Sequence, residues 1–164
     1  MKRPLKPHQI FEAHNHHRCV ADVMTSIEAS CSERGLKLTS SRRKVLEILL
    51  EEHRPLGAYA ILERLRAMGL SAQPPVAYRA LEFLTGYGFV HKIESLNAFV
   101  ACADPSGCER PAFLICNGCE RVAETTWRES AAPAVADAAR SMGFAIRQEV
   151  VEAQGHCSAC TDHG

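Results

Sequence analysis

Pro74-Pro75-Val76-Ala77-Tyr78-Arg79-Ala80-Leu81-Glu82-Phe83-Leu84 is followed, past Gly88, by Phe89-Val90-His91-Lys92-Ile93-Glu94, Ser95-Leu96-Asn97 and Ala98-Phe99-Val100-Ala101-Cys102. The two prolines suit the first turn of a helix, where an amide proton is not needed. Tyr78, Leu81 and Leu84 recur at helical spacing, and Gly88 is a stop signal. The pattern then changes to strand-like alternation, a three-residue turn and a returning strand, which is a β-hairpin. Upstream, Val20, Val23, Met24, Ile27 and Cys31 predict a first helix that stops at Gly35. Thr39 caps a second carrying Val45, Leu46, Ile48 and Leu49, with Pro55 as its end. A third runs from Ala58 through Ile61, Leu62 and Leu65 to Gly69. Short helices followed by a hairpin are the order of a winged helix, in which the fourth helix faces a DNA major groove and the hairpin is the wing. A generic helical domain with an edge hairpin has the same pattern, and periodicity alone leaves both open.

Asp104-Pro105-Ser106-Gly107 reads as a linker or loop. Beyond it, Ala112-Phe113-Leu114-Ile115 is a short apolar strand and Arg121 to Trp127 a second. Glu129 to Met142 is alanine-rich and helical up to Gly143, and Phe144 to Ala153 alternates as a third strand. The expected fold class is α+β.

Two C-x₂-C pairs sit at strand ends in this second half, Cys116-Asn117-Gly118-Cys119 and Cys157-Ser158-Ala159-Cys160. Each spacing turns two thiolates back toward one ion, and two pairs complete the Cys₄ tetrahedron of a structural zinc. Two disulfides or free thiols are the plain alternative. The stretch Met1 to Phe11 has no apolar signal core and no 18-residue apolar run exists, so a cytoplasmic protein without a membrane span is expected. Reducing conditions there favour metal thiolates over disulfides.

The chain is formally neutral, but its charge is unevenly spread. Residues 1–100 carry 14 Lys/Arg against 10 Asp/Glu, and residues 101–164 carry 5 against 9. A basic half before an acidic, cysteine-rich half suggests two jobs. His14-Asn15-His16-His17-Arg18-Cys19 is metal-prone, yet it precedes the first helix and reads as part of a solvated tail, residues 1–18. His156 and His163 read as bystanders of the last cysteine pair, and Cys31 as a core residue.

Leu38-Thr39-x-x-Arg42, Ala58-Tyr59, the run from Pro74 to Leu84, Gly88-Phe89-Val90-His91-Lys92, both C-x₂-C pairs, Met142-Gly143-Phe144 and Val151-Glu152-Ala153 together resemble the ferric uptake regulator family. The resemblance covers roughly residues 20–160. Tyr-Arg-Ala-Leu-x-Phe-Leu, Gly-Phe-Val-His-Lys-x-Glu-Ser and the pairing of His91 with Cys102 are similar to its zinc uptake regulator branch. It implies a zinc-responsive dimeric repressor that binds double-stranded palindromic operator DNA and controls zinc-uptake genes, with no catalytic residue, small-molecule substrate or membrane partner. It also implies a winged-helix DNA-binding domain over residues 1–102, a hinge over 103–110, and a small α/β dimerisation and zinc-binding domain over 111–164.

By position, the resemblance makes His91, Cys102 and Glu124 ligands of a second, regulatory Zn²⁺. Cys108 is the candidate fourth ligand and Glu109 its substitute. Arg42, Tyr59, Tyr78 and Arg79 become the DNA-contact candidates, since Arg reads guanine or phosphate and Tyr packs on a thymine methyl or donates to phosphate. Two features depart from the family: Val76 stands where Thr is usual, and Cys108-Glu109 occupies a stretch where a His is common. Other metal or peroxide sensors of the family, and a C-x₂-C thiol-disulfide oxidoreductase, are the competing readings. The latter needs its motif at a helix N-terminus after a buried strand.

Overall fold

The computed structural model describes residues 10–11, 15–70, 73–105, 111–126, 133–147 and 149–161. Four helices come first: α1 (His16–Glu33), α2 (Ser40–Leu50), α3 (Ala58–Ala67) and α4 (Pro74–Gly86). Their apolar stripes meet in one core that includes Ile27, Val45, Leu46, Ile61, Leu62, Leu81, Leu84 and Phe89. Thr39 caps α2 by accepting the Arg42 amide. That helix ends at Leu50, short of the expected Pro55. Leu56 already exchanges two backbone hydrogen bonds with Phe99, so the chain must become extended before the proline. Helix α1 begins earlier than expected, so His16, His17 and Arg18 are its first turn rather than a tail. Asn15 accepts the Arg18 amide and caps it.

Gly88, at φ +76°, takes the left-handed turn that ends α4 and lets the Phe89 amide bond back to the Leu84 carbonyl. Strands β1 (Val90–Ile93) and β2 (Ala98–Ala101) then pair antiparallel, His91 opposite Val100. A 3₁₀ turn over Glu94–Leu96 and left-handed Asn97 join them. The expected hairpin is present, with Cys102 one residue beyond it.

The second sheet has the order β4-β3-β5, from β3 (Pro111–Cys116), β4 (Val122–Thr126) and β5 (Val151–Gly155). Strand β4 runs antiparallel and β5 parallel to β3. Helix α5 (Pro133–Ser141) lies between β4 and β5 in sequence, and α6 (Ser158–Thr161) follows. Trp127 and Glu129 to Ala132, expected in strand and helix, lie outside the described residues. The last strand is a correction. It starts at Val151, not Phe144, because Val151 pairs with Ala112 near the start of β3, so pairing begins only there. Residues 144–147 are irregular and exposed.

A second core joins the hairpin to this sheet: Ile93 and Val100 pack with Phe113, Ile115 and Val122. The Glu152 carboxylate fastens the same junction, accepting the amides of Glu94 at 2.6 Å and Ser95 at 3.0 Å. Among the described residues no helix is long and apolar enough to cross a membrane.

Candidate functional site

Cys116 is the last residue of β3, and Cys157 follows β5 by two residues. Parallel pairing of these strands therefore brings the two C-x₂-C pairs to one end of the sheet. The thiol sulfurs of Cys116, Cys119, Cys157 and Cys160 all lie within 4.8 Å of one another, Cys119 and Cys157 at 3.9 Å. A tetrahedral zinc with Zn–S near 2.3 Å sets its sulfurs about 3.8 Å apart, so the donors fit that ion in kind and spacing.

The turn around them is tight. The Glu120 amide bonds to the Cys116 carbonyl and the Asn117 amide to the Gly155 carbonyl. A Cβ on Gly118 would stand 2.8 Å from Cys160 Cβ and 2.9 Å from its Sγ, so only glycine fits. Burial pushes the Cys116 thiol up, but amides including that of Cys157, 3.3 Å from its Sγ, outweigh this and bring it down to about 6. Cys160 is pushed up to about 12 by its hydrogen bonding with Cys157, with burial adding to it. The Cys116 thiol thus ionises more readily than those of Cys119 and Cys160, whose protons a metal would displace. His156 is exposed and not among the four donors.

A second donor set spans the junction between hairpin and sheet. His91 comes from β1, Cys102 from the residue just past β2, and Glu124 from β4. Glu124 Oε1 lies 3.3 Å from His91 Nε2 and 3.5 Å from Cys102 Sγ. Its Oε2 accepts the Ala103 amide at 2.8 Å, which aims the carboxylate. Cys102 is fully buried, and the side chains of His91 and Glu124 are 14% and 7% exposed. One nitrogen, one sulfur and one oxygen converging in a water-poor junction fit a borderline-soft divalent ion such as zinc. Cys108 and Glu109 lie outside the described residues.

The DNA-contact candidates divide. Tyr59, at the start of α3, is 79% exposed, and Tyr78, near the start of α4, is 49% exposed. Arg79 and Val76 share the outer face of α4 with Tyr78, while Ala77, Ala80 and Leu81 face the core. Arg42 is held against the protein: its guanidinium lies 3.5 Å from the centre of the Phe83 ring, and Nη1 donates to the Lys37 carbonyl.

Sequence reading passed over Gly118, Glu152 and the loop after α2. Gly118 stands inside the first C-x₂-C motif, but its crowding depends on Cys160, far along the chain. Glu152 gives no local signal that its partners are Glu94 and Ser95. In the loop, Arg54 Nε donates to the Cys119 carbonyl at 3.1 Å and the Val122 amide to the His53 carbonyl at 2.9 Å.

A model of the ferric uptake regulator family matches residues 33–153. The zinc uptake regulation protein of Escherichia coli (strain K12) is 37% identical over 148 residues, covering 86% of this chain and 82% of that protein. A zinc uptake regulator complexed with zinc and DNA superposes with a TM-score of 0.77 at 35% identity, over 92% of this chain and 98% of that one. Holo XcZur gives 0.76 at 38% identity, over 87% and 99% of the two chains. Apo XcZur, at 37% identity over 88% and 99%, gives only 0.52.

Proposed function

The chain belongs to the ferric uptake regulator family, and from that premise we propose that it is a zinc-responsive repressor. It binds palindromic operator DNA as a homodimer and controls zinc-uptake genes. The observation that carries this reading is the convergence of His91, Cys102 and Glu124 from two separately packed units. Donors that span a junction respond to how the units are set, which is what a switch needs. The much better match to holo than to apo XcZur supports the same view, because the two forms of one relative differ while identity to this chain stays level.

The division of labour follows the proposed domains, 1–102, 103–110 and 111–164. Cys116, Cys119, Cys157 and Cys160 would hold a structural zinc, and His91, Cys102 and Glu124, with Cys108, the regulatory one. Bound zinc supplies a multivalent positive centre that makes this set of donors mutually attractive. The hairpin contributes His91 and Cys102, the sheet contributes Glu124, and their approach fixes the angle at which α4 is offered. Tyr59, Tyr78 and Arg79 would face the DNA, with Arg42 braced beside them on Phe83. Coupling of about 1–3 kcal/mol between the metal and DNA sites gives roughly 5–150-fold in affinity.

Homodimerisation is supported by the second unit. Val135, Met142, Phe144, Ile146 and Val150 are all exposed in the single chain. Such a concentration of apolar side chains fits a symmetric contact with a second copy. No catalytic role is assigned, in keeping with relatives named as regulators. The oxidoreductase reading is disfavoured because four thiols converge rather than two; Cys116 ends a strand, and Cys157, which opens the short α6, follows a largely exposed strand rather than a buried one. Operator-DNA binding titrated against zinc, with iron and manganese as controls, tests the proposal. Zinc should promote binding at the lowest free concentration; binding that ignores zinc, or follows iron or manganese instead, would overturn it.

A further inference from the structure

A third group of donors lies close to the junction and outside both sites. His16 and Cys19, three residues apart in the first turns of α1, share one helix face. His53 meets them from the loop after α2. One donor atom of each lies within 4.8 Å of the others. The two imidazole rings sit edge to face with centroids 4.8 Å apart.

Local chemistry sets these side chains for more than packing. A carbonyl only accepts, so His16 Nε2, 2.7 Å from the Glu51 oxygen, must carry the proton. The lone pair is therefore on Nδ1. A ring N–H held by a backbone carbonyl is the arrangement that orients metal-binding histidines. Cys19 lines a cavity of about 40 Å³ together with Glu52 and His53, and Cys102 and Glu124 line it too. His16 is not part of its lining, so the cavity borders two of the three donors and the junction set alike.

We propose that His16, Cys19 and His53 form a metal site of their own that takes Zn²⁺ through two imidazole nitrogens and one thiolate, with a fourth position left for water. The donor set is one that zinc accepts at tetrahedral sites with an open position. Loaded, it would tie the start of α1 to a loop already hydrogen-bonded to β4, beside the His91–Cys102–Glu124 set. The proposal does not rest on the repressor reading, because it concerns ions bound and not DNA.

The test is zinc content of the full chain, dialysed against one buffered free-zinc concentration, for the unmodified protein and for Cys19→Ala, His53→Ala, Cys102→Ser and Cys19→Ala/Cys102→Ser. Cys19→Ala and His53→Ala should each carry one zinc fewer than the unmodified protein, and the double variant two fewer. In cobalt titrations, Cys19→Ala should lose one thiolate-to-cobalt charge-transfer contribution. His53 is half-buried in a loop, so its variant reports even where removal of the buried Cys19 disturbs folding. An unchanged zinc count in His53→Ala overturns the proposal. So does a double variant that loses a single ion, since Cys19 and Cys102 would then feed one site.

Discussion

The Cys₄ cluster and the His91–Cys102–Glu124 cluster gather donors from comparable distances along the chain but answer different mechanical questions. All four cysteines come from the ends of two neighbouring strands, the turn after β3 and the short α6 after β5, so the sheet brings the two pairs together. The other three donors come from a hairpin and from a strand of a different sheet. The packing of Ile93 and Val100 on Phe113, Ile115 and Val122, the Glu152 contact, and the hydrogen bonds from Arg54 to Cys119 and from Val122 to His53 hold them in register. An ion in the first cluster would staple a fold; an ion in the second would be sensitive to how two units are placed. On the proposed reading, position relative to the units, more than ligand chemistry, separates the structural site from the regulatory one.

The comparison can be broken most severely at the staple. Cys116→Ser should lose the structural zinc and with it folding and dimerisation, because metal affinity at such sites, about 10–16 kcal/mol in small zinc domains, is folding free energy. A variant that keeps the unmodified melting temperature without that zinc would contradict the assignment. Gly118→Ala should act in the same direction less completely, since the added methyl drives into Cys160. Zinc retention under a chelator, measured beside the unmodified chain, should fall at least about tenfold, a loss of about 1.4 kcal/mol. Arg79→Ala lies on the exposed face of α4 and should leave both metal sites intact while weakening operator binding by about 1–3 kcal/mol. Unchanged affinity at fixed salt and saturating zinc would remove it from the interface.

The smallest effect concerns the junction. Burial pushes the Glu152 carboxyl up, but the Ser95 and Glu94 hydrogen bonds outweigh it and hold it below its ordinary value of 4.5. A group depressed on folding contributes stability above its unfolded value and loses it as pH falls through the folded one. Glu152 should therefore support the junction fully above about pH 4.5 and lose that support progressively as pH falls below it. Thiolates release metal in acid too, so the informative quantity is a difference. Stability of Glu152→Gln should fall less between about pH 5 and 3 than that of the unmodified chain. Parallel acid profiles would exclude the contact as a contributor.

The helices, the hairpin and the Cys₄ pairing were legible because each depends on local pattern: apolar spacing, Thr39 as a cap, glycine stops and the C-x₂-C repeat. The second cluster was legible only through resemblance, because nothing near Glu124 signals that it meets His91 and Cys102. Periodicity overextended the last strand, since alternation over 144–150 says nothing about whether β3 has a residue opposite. It also placed His16 to Arg18 in a tail, although Asn15 is a competent cap. His53 offered no signal, because its partners in α1 are fixed by helix packing.

The central claim is that the cluster spanning the junction, and not the staple, senses zinc. Operator binding by Cys102→Ser, titrated against free zinc beside the unmodified protein, tests it most directly. The fold, the dimer and the Cys₄ zinc should survive, since Cys102 lies outside that cluster. Binding should require at least about tenfold more free zinc, a shift of about 1.4 kcal/mol or more, or should not respond at all. An unmodified zinc response in a variant that keeps the Cys₄ zinc would contradict the account.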